Sequence, residues 1–149
     1  MTPEDLAALH ALCFTDTPRP WSAPDFAGLL ALTSTVLVER PGGFALGQIA
    51  GPEATLLTLA VHPEGRRQGL GRGLVAGFET AALALGALDA FLEVAESNAA
   101  AWSLYAGLGY QAIARRRGYY LRAAQPPVDA VVMRKPLAPV MPEALGKTI

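Results

Sequence analysis

The chain has a single cysteine, Cys13, and only two histidines, His10 and His62. One thiol excludes an internal disulfide and agrees with a reducing compartment. In a helical pattern it reads as a small buried apolar group rather than a nucleophile. Two scattered imidazoles do not make a ligand cluster, so no metal is expected. There is no uncharged apolar run of the roughly eighteen residues a membrane-spanning helix needs, and the first residues lack a basic segment followed by an apolar stretch. Both absences set the expectation of a cytoplasmic protein with no membrane partner. No Gly-Lys-Ser/Thr and no Gly-x-Gly-x-x-Gly spacing occurs, which sets aside the two familiar nucleotide fingerprints. Aromatics are 7% of the chain and do not interleave with a basic stripe, so direct nucleic-acid binding is not expected.

What is present suffices for one folded unit. At 149 residues and 52% hydrophobic content, residues 1–149 read as a single domain with a sizeable core. The net charge of −1 hides a split: residues 1–64 hold seven carboxylates against two arginines, and residues 65–149 hold ten cations against six carboxylates. Such a split suits a cationic cofactor site beside an acidic mouth for a basic substrate, or else two ordinary solvated faces.

Thr2-Pro3-Glu4-Asp5 is a helix start, with Leu6, Leu9, Ala11, Leu12 and Cys13 as the expected apolar stripe. After a loop from Phe14 to Pro20, Ser22 and Asp25 form a second capping box, with Phe26, Leu29, Leu30 and Leu32 as the apolar side; Trp21 before it reads as a hydrophobic staple, or as part of a loop lining a substrate groove. Thr35 to Glu39, Phe44 to Ala50 and Thr55 to Val61 read as strands joined by Gly-Pro turns. A helix follows from about Gly71 to Leu85; its outer face is nearly uncharged, as if covered on two sides. Leu88 to Val94 is a strand with Leu88, Ala90, Leu92 and Val94 on one face. Ser97 or Asn98 caps a helix carrying Ala101, Leu104, Tyr105 and Leu108. Gln111 to Arg117 and Asp129 to Arg134 read as final strands around a loop holding Gly118, Tyr119, Tyr120, Pro126 and Pro127. Residues 136–149 read as a loosely held tail.

The stretch Val61 to Gly73 organises this order. A glycine-rich, arginine-bearing turn between a strand and a helix points backbone N–H groups inward at a helix start, which is an anion site with phosphate as its natural guest. A Gly-Arg surface turn that binds nothing is the plainer reading. Glu93, at the end of the strand after that helix, can accept a proton, or be an ordinary strand-end glutamate. Asn98 and Tyr105 are about two helical turns apart and so share a face. Tyr105 can donate to a developing anion, or simply pack. Arg115, Arg116 and Arg117 alternate across a strand and cannot all face one ligand.

Together these motifs resemble the GNAT superfamily of acyl-CoA-dependent N-acetyltransferases. Arg66-Arg67-Gln68-Gly69-Leu70-Gly71 matches its R/Q-x-x-G-x-G/A loop. The chain is most similar to the bacterial ribosomal-protein-alanine N-acetyltransferases, through Pro20-Trp21-Ser22, Leu92 to Ala101, Leu104 to Tyr110, Arg116 to Tyr120 and Asp129 to Met133. The resemblance implies an α/β (α+β) fold: a mixed, mostly antiparallel twisted sheet of six to seven strands flanked by four helices, with acetyl-CoA at the splayed central strands. It implies that Leu59, Ala60 and Val61 hold the pantetheine and acetyl portion through main-chain groups. Arg66, Arg67, Gln68, Gly69, Leu70, Gly71 and Arg72 would surround the pyrophosphate, and Asn98 would bond the pantetheine arm. Glu93 would be the general base and Tyr105 the general acid. Transfer is expected to be direct, with no activated Cys or Ser nearby and a strand N–H near Ala60 or Val61 facing the oxyanion. The implied acceptor is a basic protein N-terminus, that of a ribosomal protein. A small amine or lysine acceptor, and a non-catalytic acyl-CoA-binding module, remain as alternatives. Ala95, Glu96 and Val128 depart from the family pattern on the acceptor side.

Overall fold

The computed structural model describes residues 1–14, 19–66, 68–122 and 124–137. Thr2 caps α1 (Pro3–Cys13): its hydroxyl accepts the Asp5 N–H, and the Asp5 carboxylate accepts the Thr2 N–H in return. Ser22 and Asp25 repeat the exchange at α2 (Ala23–Leu30), and Trp21 packs against Phe26 with ring centroids 5.4 Å apart, the staple expected from sequence. The stripe of α1 differs from expectation. Leu6, Leu9 and His10 are buried, while Ala11 and Leu12 face solvent. Spacings of three and four residues select 6, 9, 10 and 13 as one face and turn 11 and 12 away from it.

β1 (Thr35–Arg40), β2 (Gly43–Ala50) and β3 (Glu53–Val61) form an antiparallel meander. After a short 3-10 turn over Pro63–Gly65, α3 (Leu70–Ala84) crosses over to β4 (Asp89–Ala95), which runs parallel to β3. α4 (Ala99–Gly107) leads into the hairpin of β5 (Gln111–Arg122) and β6 (Gln125–Pro136). The described residues form one six-stranded sheet in the order β1-β2-β3-β4-β6-β5, antiparallel except at β3 and β4. Six strands and four helices agree with the expected GNAT-like α/β architecture.

Helices cover both faces. Leu6, Phe26, Phe44, Leu46 and Ala60 make the core under α1 and α2. Phe78, Leu74, Leu56, Leu92, Tyr105 and Met133 make a larger one under α3 and α4. The expectation that α3 is covered on two sides does not hold: Arg72, Ala76, Thr80 and Leu83 are exposed. Its outer face carries few charges and lies open to water. Leu88 is likewise 53% exposed and precedes β4, whereas Ala90, Leu92 and Val94 are buried as expected.

The last two strands are longer than the sequence suggests. Gly118, Tyr119 and Tyr120 belong to β5, and Pro126 and Pro127 to β6. β4 pairs with β6 only along Ala130–Pro136, so the stretch carrying the prolines is flanked by one neighbour and needs fewer ladder donors. Gly118 takes φ of +60° within a shift of register, and its N–H donates to Asp129 Oδ1 at 2.8 Å. Leu137 packs on the larger core and donates its N–H to the Leu88 carbonyl; the rest of the expected loose tail lies outside the described residues.

Two irregularities of the central strands make the site. The β2–β3 register slips between Leu46 and Gly47, so that Leu57 is an extra residue on β3. Before this bulge Ala54 and Leu56 face α3; after it Thr58 and Ala60 face α1 and α2, and Leu59 and Val61 turn toward α3. β3 and β4 pair only from Glu53–Leu56 to Asp89–Leu92. Beyond that point the parallel neighbours part.

Candidate active site

The parting strands open a cleft of about 820 Å³. Leu57 to Leu59 and Val61 line one arm, Glu93 to Ala95 the other; the start of α3 and one face of α4 close it. The cleft therefore has a sheet edge on each side, and unpaired main-chain groups on β3.

Which of those groups face the opening follows from one bond. His62 N–H donates to the Gly42 carbonyl, and residues exchange bonds with β2 at every second position. Phe44–Ala60 lies in phase with that pair, and Ala45–Leu59 and Gly43–Val61 lie out of phase. Leu59 and Val61 thus turn their N–H and C=O groups toward the cleft, while those of Ala60 are committed to β2. The Val61 carbonyl on the open side accepts from Cys13 Sγ at 3.2 Å and from Arg66 Nε at 3.3 Å. Of the three expected main-chain contacts, Leu59 and Val61 are placed for the role; Ala60 is 1% exposed and faces away.

At the far end, Gly69 caps α3 in the left-handed region (φ +78°) with no side-chain cap and no acid in the first turn. The first N–H groups of α3 are left for a guest, and an anion is favoured there by the helix dipole. Arg66, Gly69, Leu70, Gly71 and Arg72 line the cleft. Gln68 is exposed and does not; Arg67 lies outside the described residues. A Cβ on Gly71 would stand 3.3 Å from Leu104 Cδ2 and within 4 Å of Val61 and Leu59 side chains, narrowing the passage between α3 and α4. The glycine keeps that passage open.

Asn98 caps α4 by accepting the Ala101 N–H on Oδ1 at 3.1 Å, which leaves its amide NH₂ for the cleft it lines. Tyr105 lines the same cleft, as the shared helix face predicts. It is 8% exposed, and burial pushes its hydroxyl well above the usual phenol range, so it stays protonated and acts as a donor. Glu93 enters from the opposite face of the sheet. Its Oε1 lies 2.9 Å from Arg116 Nε.

Several lining residues were not evident from sequence. Tyr120, placed on a loop there, reaches the cleft from β5 because the hairpin is long; burial first, then the Glu93 charge, raise its hydroxyl to about 12. Cys13 and Ser103 also line the cleft. The Cys13 thiol donates to a carbonyl, which gives it no activating base. Thr58 carries no motif and is found only through the bulge. Glu96, one of the departures, pairs with Arg115 at 2.8 Å, and Val128, another, is buried.

Residues 6–110 match the acetyltransferase (GNAT) family. The chain belongs to that family. The ribosomal protein bS18-alanine N-acetyltransferase of Salmonella typhimurium is 38% identical over 126 residues, covering 80% of this chain and 82% of that one. The crystal structure of the ribosomal-protein-S18-alanine N-acetyltransferase from Escherichia coli has a TM-score of 0.76 at 33% identity, covering 91% of this chain and 88% of that one. Naa20 of Chaetomium thermophilum, solved with a bisubstrate analogue, gives a TM-score of 0.75 at 26% identity over 91% and 84%. This GNAT chain is an acetyl-CoA-dependent N-acetyltransferase. The open β3 edge, the uncapped helix start flanked by Arg66 and Arg72, and the passage kept by Gly71 suit the extended, anionic donor.

Proposed function

We propose that this GNAT enzyme acetylates the N-terminal α-amine of a protein, a ribosomal protein in keeping with its relatives, by direct attack on the thioester. The observation that carries this is the placement of Glu93 and Tyr105 on opposite walls of one cleft, where β3 and β4 part. Acetyl-CoA supplies the activated acetyl group. Arg66, Arg72 and the α3 N–H groups hold its pyrophosphate, Leu59 and Val61 pair with its arm as a further strand would, and the Asn98 amide bonds the arm from α4. A free Leu59 or Val61 N–H faces the carbonyl oxygen and stabilises the charge that grows on it.

An α-amine has a pKa near 8, so about a tenth is already free at neutral pH and a modest base suffices. Glu93 is that base, acting directly or through one water. Tyr105, held protonated by burial, donates toward the departing sulfur. The single chain 1–149 acts as one domain, in the cytoplasm.

Peptides with free or blocked N-termini, each carrying an internal lysine, are incubated with enzyme and acetyl-CoA and mapped by mass spectrometry. Acetyl on the α-amine of the free peptides is the expected result. Modification of lysine in the blocked peptides alone overturns the proposal.

A further inference from the structure

His10 is a titratable group that the reaction as described does not use, and it is fully buried. Its ring stands among Phe14, Trp21 and Phe26 at centroid distances of 4.4, 5.1 and 5.6 Å. Two directed bonds fix its state. The Trp21 N–H donates to Nδ1 at 3.1 Å, so Nδ1 is the acceptor and the proton of the neutral ring sits on Nε2. Nε2 lies 3.2 Å from Thr58 Oγ1 and therefore donates to it. Desolvation alone lowers the ring to about 4, which keeps it neutral at working pH and this tautomer in place.

Thr58 is only 7% exposed, yet it lines the cleft. Its oxygen accepts from His10, and among the described residues its hydroxyl proton has no acceptor. Among the described residues, one donor and one lone pair of this nearly buried hydroxyl are thus left without a partner, a state that costs free energy unless something in the cleft completes it. The bulge at Leu57 decides which face this group occupies: it turns Thr58 toward α1 and α2, the face of the sheet that also carries Glu93.

We propose that the Thr58 hydroxyl, oriented from behind by His10, is a contact for the acceptor's amino end, accepting one of its N–H bonds so that the nitrogen lone pair turns toward the thioester. This rests on the α-amine reading above. His10 is then a positioning residue. It acts through Thr58 and, by its bond to Trp21, ties the start of α2 to the central strand beside the reaction. Thr58 must not donate to the attacking nitrogen, whose lone pair has to stay free. Its proton goes to an oxygen, either the first carbonyl of the acceptor or the water beside Glu93.

The test is steady-state kinetics with a peptide acceptor on four variants: Thr58→Val, Thr58→Ser, His10→Phe and the double variant Thr58→Val/His10→Phe. His10→Gln is a fifth, because an amide can accept from Trp21 and donate to Thr58. Thr58→Val should raise the peptide KM about tenfold and leave the acetyl-CoA dissociation constant within twofold of the parent, and Thr58→Ser should retain most of the parent behaviour. His10→Phe should shift the peptide KM in the same direction, His10→Gln should restore it in large part, and the double variant should be no worse than Thr58→Val. Parent values for Thr58→Val, or losses that multiply in the double variant, overturn the proposal. If His10→Phe fails to fold, Thr58→Val, Thr58→Ser and His10→Gln decide by themselves. A parent enzyme that transfers nothing to any α-amine overturns the acceptor reading and this contact with it, whereas a parent that does so and is indifferent at Thr58 overturns the contact alone.

Discussion

Glu93 and His10 are both ionisable and lie on one face of the sheet, and their surroundings set them different tasks. The Glu93 side chain is 27% exposed and shares a charge contact with Arg116, so it is reachable by a substrate and by water. Glu93→Gln keeps the shape and removes the base. Turnover should fall by about 100-fold near pH 7, the scale of one general base, with a smaller deficit above pH 9, where the amine is free without help. Acetyl-CoA affinity by calorimetry should stay within twofold. An unchanged turnover at pH 7 removes Glu93 from the mechanism. His10 instead is a pH liability. Its ring titrates near 4 when folded and near 6.5 when unfolded, so the neutral form is favoured by folding. The benefit is complete above pH 6.5 and is lost as pH falls toward 4, because the unfolded chain binds the proton first. Allowing for solvent screening near the cleft, the loss is on the order of 2 kcal/mol. His10→Gln should show a flatter stability between pH 7 and 4.5 than the parent in urea titrations, since the carboxylates common to both cancel.

Among the elements, strand β2 is the most demanding of its sequence. Gly47 faces α3, and a Cβ there would stand 2.3 Å from Phe78 Cε1 and 2.7 Å from the Thr55 carbonyl oxygen. The ring could turn aside, but the carbonyl belongs to the paired strand and cannot. Gly47→Ala should cost about 3 kcal/mol, the upper part of the range for overpacking, read as a lower urea midpoint. A stable variant would mean that β2 and β3 can separate at low cost. This glycine sits where the register slips, and it marks the limit of what the sequence discloses. The capping boxes at Thr2 and Ser22, the strand-helix-strand crossover and the glycine turn into α3 are local chemistry and were legible. The bulge at Leu57 is not, because an extra residue on β3 is defined only against β2. Thr58 therefore has no signature in the sequence, and the resemblance points to Ala60 although its ladder partner is Phe44. The β5–β6 hairpin reads shorter in the sequence for a related reason: Gly118 and the two prolines look like loop residues until the pairing shows that one side of that stretch has no neighbour to satisfy.

Across the whole molecule, charge follows structure more than function. Among the described residues, three carboxylates of the acidic first half are engaged locally or with the chain start: Asp5 and Asp25 close capping boxes, and Glu39 binds the amino group of Met1. One charge cluster does act at long range. Glu79 on α3 accepts from Lys135 Nζ at 2.9 and 3.1 Å and from the Tyr110 hydroxyl at 2.9 Å, with Lys135 also over the Tyr110 ring. This joins the helix that begins at the cofactor end to β6 and to the turn after α4, on the side of the sheet where β3 and β4 still pair. The Glu79 side chain is 16% exposed and that of Lys135 26%, between the regimes of surface and buried pairs. Lys135→Met should cost about 2 kcal/mol, because it strands a mostly buried carboxylate. Adding Glu79→Gln should recover part of that loss, since a neutral amide still accepts from Tyr110 and no longer needs a cation. A double-mutant cycle in urea supplies the coupling. Additive losses would mean that α3, β6 and the turn after α4 hold together through their apolar packing alone, with the cluster a passenger on it.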